Sequence, residues 1–118
     1  MIGKKIWAIS DGFMNDTANG NFESHEAICI LNTTNDDAII NITVYFEDKE
    51  PVSGFKAVCC ARRANHIRLD RITTDKGEVI PHSVPYALLV ESNIPIVVQH
   101  SRMDVSQAEM TLMTTMAY

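Results

Sequence analysis

Side chains able to bind ligands or move protons gather at three places in this sequence. Ser24-His25-Glu26 stands at the head of an apolar run, where imidazole and carboxylate offer directional donors and acceptors to a hydroxyl group. Arg62, Arg63, Arg68 and Arg71, interleaved with His66 and Asp70, form the one basic cluster; guanidinium forks match planar carboxylates and phosphates. His100, Arg102, Asp104 and Gln107 follow another apolar run and make the densest polar group. Each group also has a structural reading. His25 fits a turn in which a backbone carbonyl pins the ring. The arginines fit a solvated or inter-subunit ion-pair ladder with Glu47, Asp48 or Asp70. The last group fits a subunit interface. Spacing alone leaves both readings open.

Catalysis finds less support. His25, Glu26, His66 and His100 are ligand types for a divalent metal, yet no HxH, HExxH or CxxC element fixes two ligands locally. Ser24 beside His25 and Ser101 beside His100 point to alternating sides of a strand, and neither serine sits in a GxSxG elbow. The expectation is a non-enzymatic protein with no catalytic residues, no metal ligands and no cofactor. Cys29, Cys59 and Cys60 lie in apolar runs and form no CxxC pair, so buried reduced thiols are expected. Trp7, Tyr45, Tyr86 and Tyr118 are expected in the core rather than as a platform for a sugar ring. Met103, Met110, Met113 and Met116 are expected to fill core or subunit contacts.

The elements that must position these groups read as strands almost throughout. In AIINITVYFE, Ala38, Ile40, Ile42, Val44 and Phe46 share one face, and Ile39, Asn41, Thr43, Tyr45 and Glu47 share the other. KIWAIS, EAICILN, FKAVCCA, NHIRLDRI, YALLVES, IPIVVQHS and MTLMTTMAY repeat the theme. Their separators are turn material: DGFMNDTANGNFES, NTTNDD, EDKEPVSG, TTDKGEVIPHSVP and ESN. The reading is an all-β, single-domain antiparallel β-sandwich of about eight strands spanning residues 1–118. Alternation places Ile67 and Leu69 opposite His66, Arg68 and Asp70. It also puts Ile94, Ile96, Val98, His100 and Arg102 on one face, so the face that carries the core continues into polar groups.

Composition limits the partners. The chain has 118 residues, is 46% hydrophobic and 21% charged, and carries a formal net charge of −5. Those values describe a folded globular domain. The acidic balance argues against general nucleic-acid binding, which needs a basic stripe to neutralise phosphates. No apolar window reaches the length of a bilayer and the N-terminus MIGKKIWAISDG has no sustained apolar region, so no membrane insertion and a cytoplasmic location are expected.

In order and spacing, GKKIWAISDGF, SHEAICILNT, ITVYFEDKEP, ARRANHIRLD, IPHSVPYALLVES and PIVVQHSRMDVSQAEMTLMTTMAY resemble the sensory rhodopsin transducer family over nearly the whole chain. The resemblance implies a β-sandwich assembled as a homotetramer, a small-molecule ligand that is sugar-like, and a receptor or regulator protein as a further partner. It also implies a proline in or next to the Asp11-Gly12-Phe13 turn, where this chain has Ser10 before it and Asn15 after it. The residues that would hold the ligand are His25, Glu26, Arg63, His66, Arg68, His100, Arg102, Asp104 and Gln107. A signalling adaptor that docks a receptor, with these polar groups fixing subunits, is the alternative, and a metal-dependent enzyme a more distant one.

Overall fold

The computed structural model describes residues 1–118 and contains strands without a helix. Seven strands follow in order: β1 (Lys4–Gly12), β2 (His25–Asn32), β3 (Ala38–Phe46), β4 (Val52–Cys59), β5 (Arg63–Arg68), β6 (Tyr86–Asp104) and β7 (Thr111–Met116). Alternation explains them. In β3, Ala38, Ile40, Ile42 and Val44 are buried, while Ile39, Asn41 and Tyr45 are exposed.

β6 organises the sandwich. It runs for 19 residues; its first part pairs antiparallel with β3 and β1, and its second part with β2 and β7. One layer is therefore β4-β3-β6-β1 and the other β5-β2-β6-β7, with β6 passing from one to the other. The sequence reading made two strands of β6, with a turn at Glu91-Ser92-Asn93. The chain there changes neighbours without reversing, which reduces about eight strands to seven. Pro95 lies between Ser92, the last residue paired with β3, and Val97, the first paired with β2. At that corner its missing N–H breaks no ladder. Trp7 Nε1 donates to the carbonyls of Lys4 (2.9 Å) and Ile96 (3.0 Å), tying β1 to the same corner. Gly3 is required beside it: its φ is +92° and a Cβ there would lie 2.3 Å from the Ile96 oxygen.

One core joins both layers, with Trp7 and Ile9 of β1, Ile28 and Ile30 of β2, Phe55 of β4, Ile67 of β5 and Leu88, Val90, Ile96 and Val98 of β6. Beyond β7, Tyr118 exchanges backbone hydrogen bonds with Ala8 of β1 at 2.6 and 2.9 Å, bridging the edges of the two layers. At the opposite end, buried Asn32 donates to the carbonyls of Asp36 (2.8 Å) and Cys59 (3.0 Å).

Several expectations about single residues change. Cys59 is buried, but Cys29 is half-buried and Cys60 exposed, because adjacent strand residues face opposite ways. Trp7 and Tyr86 lie in the core, whereas Tyr45 and Tyr118 are exposed. Met113 and Met116 on the edge strand β7, and Met110 just before it, are also exposed, so they fill no core.

Adjacent isoleucines on β3 test this register. Ile40→Ala should cost about 2–5 kcal/mol in denaturant unfolding, as a buried truncation does. Ile39→Ala should cost about 1 kcal/mol or less.

Candidate functional site

The most demanding side chain in the fold is Glu26, on β2, with no solvent exposure. A buried carboxylate survives only if its lone pairs are filled, and four donors fill them. Oε1 accepts from the Tyr86 hydroxyl and from His100 Nε2 at 2.9 Å. Oε2 accepts from the Phe13 backbone N–H at 2.8 Å and from Arg102 Nε at 2.6 Å.

These donors come from separate elements. Tyr86 opens β6 in the first layer, and His100 and Arg102 close it in the second. On β2, Glu26 stands opposite Arg102, and Ile28 opposite His100. Phe13 begins the loop after β1. That loop is anchored by buried Met14 and by the Ser83 N–H, which donates to the Met14 carbonyl at 2.7 Å, so its order does not need the proline that the family resemblance implies. Gly12 makes room for the cluster: a Cβ there would lie 2.4 Å from Tyr86 Cε2.

Burial pushes the Glu26 carboxyl up. The bonds from His100, Tyr86, the Phe13 N–H and Arg102 outweigh it and hold the group below its usual value. The same cluster acts in reverse on Tyr86, whose hydroxyl is pushed well up by burial and the facing carboxylate. For Arg102, burial lowers the value, but the bond to Glu26 prevails and raises it. Its Nη2 also reaches the Asp11 carboxylate at 3.5 Å.

Shallow clefts border this cluster. One, of about 280 Å³, is lined by Arg102, Asp104, Ser106, Gln107, Glu109 and Thr111 around the β6–β7 turn. The Ser106 hydroxyl (2.6 Å) and N–H (2.9 Å) donate to Asp104 and hold its carboxyl below the usual range. The turn is strapped to the first loop: the Val105 N–H donates to buried Ser24 Oγ at 2.9 Å, and the Asn19 N–H to the Val105 carbonyl at 2.8 Å. A second cleft, of about 240 Å³, lies between β1 and β7 over His100. A third, of about 280 Å³, borders Tyr86 and Asp11.

Of the sequence-derived candidates, the structure brings together Glu26, His100 and Arg102, and sets Asp104 and Gln107 in a cleft beside Arg102. The rest stand apart. His25 and Glu26 point to opposite sides of β2, and His25 Nδ1 lies 2.8 Å from the Glu23 carbonyl, the turn geometry that was the structural reading. Arg68 makes a two-pronged ion pair with Asp70 at 2.8 and 2.7 Å, so its fork is occupied within the chain. Arg63 and His66 are exposed but stand three positions apart on β5 and so do not share a face. Nowhere do three or more His, Cys, Asp or Glu side chains converge as a metal site. Ser101 faces away from His100, and Ser24 is occupied by Val105 and the Thr17 carbonyl. Sequence reasoning missed Tyr86 and Gly12, which carry no local signal because their partner lies far along the chain.

The pH dependence of stability tests the Glu26 cluster. Its folded value is depressed, so its contribution is full above the usual 4.5 and is lost as pH falls through the depressed value. Asp70 and Asp104 are depressed as well, so the informative quantity is the difference between proteins. Glu26→Gln should cost about 1–3 kcal/mol at neutral pH, because an amide offers the four donors one acceptor oxygen in place of two. Urea unfolding across a pH series should show that this difference shrinks below pH 4.5.

The family model described as ASRT, Anabaena sensory rhodopsin transducer, matches residues 2–118. The crystal structure of Thermotoga maritima 1070 is similar, with a TM-score of 0.89 at 39% identity, covering 100% of this chain and 96% of that one. The structure of the Anabaena sensory rhodopsin transducer is similar with a TM-score of 0.77 at 43% identity, over 91% of this chain and 94% of that one. No curated protein matches the sequence.

Proposed function

We propose that this chain, which belongs to the Anabaena sensory rhodopsin transducer family, is a non-enzymatic signal-transducing protein that binds a small, sugar-like molecule in the cytoplasm and works as a homotetramer. The observation that carries the small-molecule reading is the Glu26 cluster. One buried carboxylate holds Tyr86, His100 and Arg102, and each of these three borders a different cleft. A molecule that moves any one of them acts on the bond network that joins the two layers and the first loop. Asp104, Ser106, Gln107 and Thr111, beside Arg102, supply the mixed donors and acceptors that a polyol needs.

A receptor or regulator protein as partner, and the tetramer itself, draw support from β7. All six of its residues are exposed, with Leu112 at 64% and Met116 at 57%. It carries no charge or proline, the devices that usually protect a free edge. No helix is long and apolar enough to cross a membrane.

Thermal unfolding against a panel of sugars, sugar acids and sugar phosphates tests the reading. A ligand at about a hundred times its dissociation constant adds roughly 2.7 kcal/mol. One sugar class should raise the melting temperature of the wild type, and Asp104→Ala with Gln107→Ala should reduce that rise while light scattering still reports a tetramer. Leu112→Lys should instead lower the mass and keep the ligand response. No response to any sugar, with docking lost in Leu112→Lys, would transfer the function to the adaptor surface.

A further inference from the structure

Asparagine followed by glycine occurs once in the chain, at Asn19-Gly20 in the loop after β1. The pair is a reactive element as well as a turn signal. Asparagine is thermolabile because the next residue's backbone nitrogen can attack its side-chain carbonyl carbon and close a five-membered ring. A β-carbon on that next residue hinders the attack, and glycine has none. Asn19 and Gly20 are both exposed, and Gly20 enters a turn. The φ of Gly20 is +80°, and no heavy atom lies within 4 Å of where a Cβ would stand. Its N–H takes no part in the backbone hydrogen bonds of the loop, so the attacking nitrogen is both uncrowded and unengaged.

The target amide has a structural duty. Asn19 Nδ2 donates to the Ser106 carbonyl at 2.5 Å and reaches the Val105 carbonyl at 3.5 Å, and the Asn19 N–H donates to the Val105 carbonyl at 2.8 Å. With the Val105 N–H donating to Ser24 Oγ at 2.9 Å, these bonds strap the turn after β6 to the first loop. The Nδ2 bonds exist only while residue 19 is an amide. An ionised carboxylate has no proton to donate and would set its charge against two carbonyl oxygens.

We infer that Asn19 is a modification site, at which the chain deamidates through Gly20 and thereby releases this strap. The Gly20 nitrogen loses its proton to hydroxide and bonds to Asn19 Cγ. The Cγ–Nδ2 bond then breaks, and Nδ2 takes up a proton from water and leaves as ammonia. Water next opens the cyclic imide. Addition at Cγ restores the main chain and leaves aspartate, whereas addition at the Asn19 backbone carbonyl leaves isoaspartate, with the side-chain methylene inserted in the main chain. Water is the only co-reactant and nothing is oxidised or reduced. Both products are anions without the Nδ2 donor, so the change runs one way and needs no ligand.

The test is ageing of the full chain at physiological temperature, from mildly acidic to mildly alkaline pH, followed by peptide mass mapping. The peptide that holds Asn19 should gain about one mass unit, faster as pH rises because the deprotonated nitrogen is the nucleophile. Asn21 and Asn35, exposed but followed by Phe22 and Asp36, should change about tenfold more slowly or less. Hydrogen exchange at the Asn19 and Val105 amides should quicken by about tenfold in the aged, more acidic fraction and in Asn19→Asp, with the amides of β2 unchanged. Asn19→Gln, whose longer side chain does not close the five-membered ring, should gain no mass at this position. No gain at Asn19 under conditions that convert a synthetic peptide of residues 15–23 overturns the site. Equal gain at Asn21 and Asn35 overturns the part played by Gly20. Gain at Asn19 with unchanged exchange at Val105, in both the aged protein and Asn19→Asp, overturns the release of the strap.

Discussion

An ionised carboxylate with no exposure to water is the constraint on which this structure turns. Removing Glu26 from solvent costs several kcal/mol in desolvation, and only donors delivered from different parts of the chain offset it. The fold must bring the start of β6, the end of β6 and the loop after β1 to one point on β2. It does so by letting β6 change layers at Pro95, so that Tyr86 and Arg102, far apart on one strand, meet the same carboxylate. Gly12 is the steric counterpart, since any side chain there would displace the Tyr86 ring.

Function follows from the same geometry. A network whose members are all satisfied is rigid, and one that loses a partner is costly, so small movements at its edge are resisted or transmitted rather than absorbed. His100, Arg102 and Tyr86 each have one side in the network and the other at a cleft. The polar turn after β6 is fastened to the first loop through Val105, Ser24 and Asn19. Beside it runs β7, exposed, uncharged and unpaired on one edge for most of its length. The proposed transducer reading rests on this placement of a satisfied polar cluster, bordered by clefts, next to an exposed and uncharged edge strand.

Alternation made much of the fold legible in the sequence. Ala38 to Phe46 show it plainly, and the run from Ile94 through His100 to Arg102 correctly placed a polar pair on the core face. Polar residues at Ser92 and Asn93, followed by Pro95, look the same at a turn as at a corner where one strand changes sheets, and this hid the continuity of β6. The site was partly legible for a different reason. Glu26, His100 and Arg102 stood out by residue type, but the bond that groups them spans 74 to 76 positions, and no local pattern reports it. Neighbours in sequence misled instead. His25 lies beside Glu26 but on the other side of the strand, and Arg68 already has Asp70 two residues away.

The four-donor cluster depends on Glu26 being charged inside the protein. A ¹³C NMR titration of its side-chain carboxyl reads that state at the atom concerned. The account predicts an ionised resonance that persists as pH falls past 4.5, with the Tyr86 and Arg102 signals changing together only when it protonates. A carboxyl that titrates at or above 4.5, or that titrates without moving those two, would contradict it.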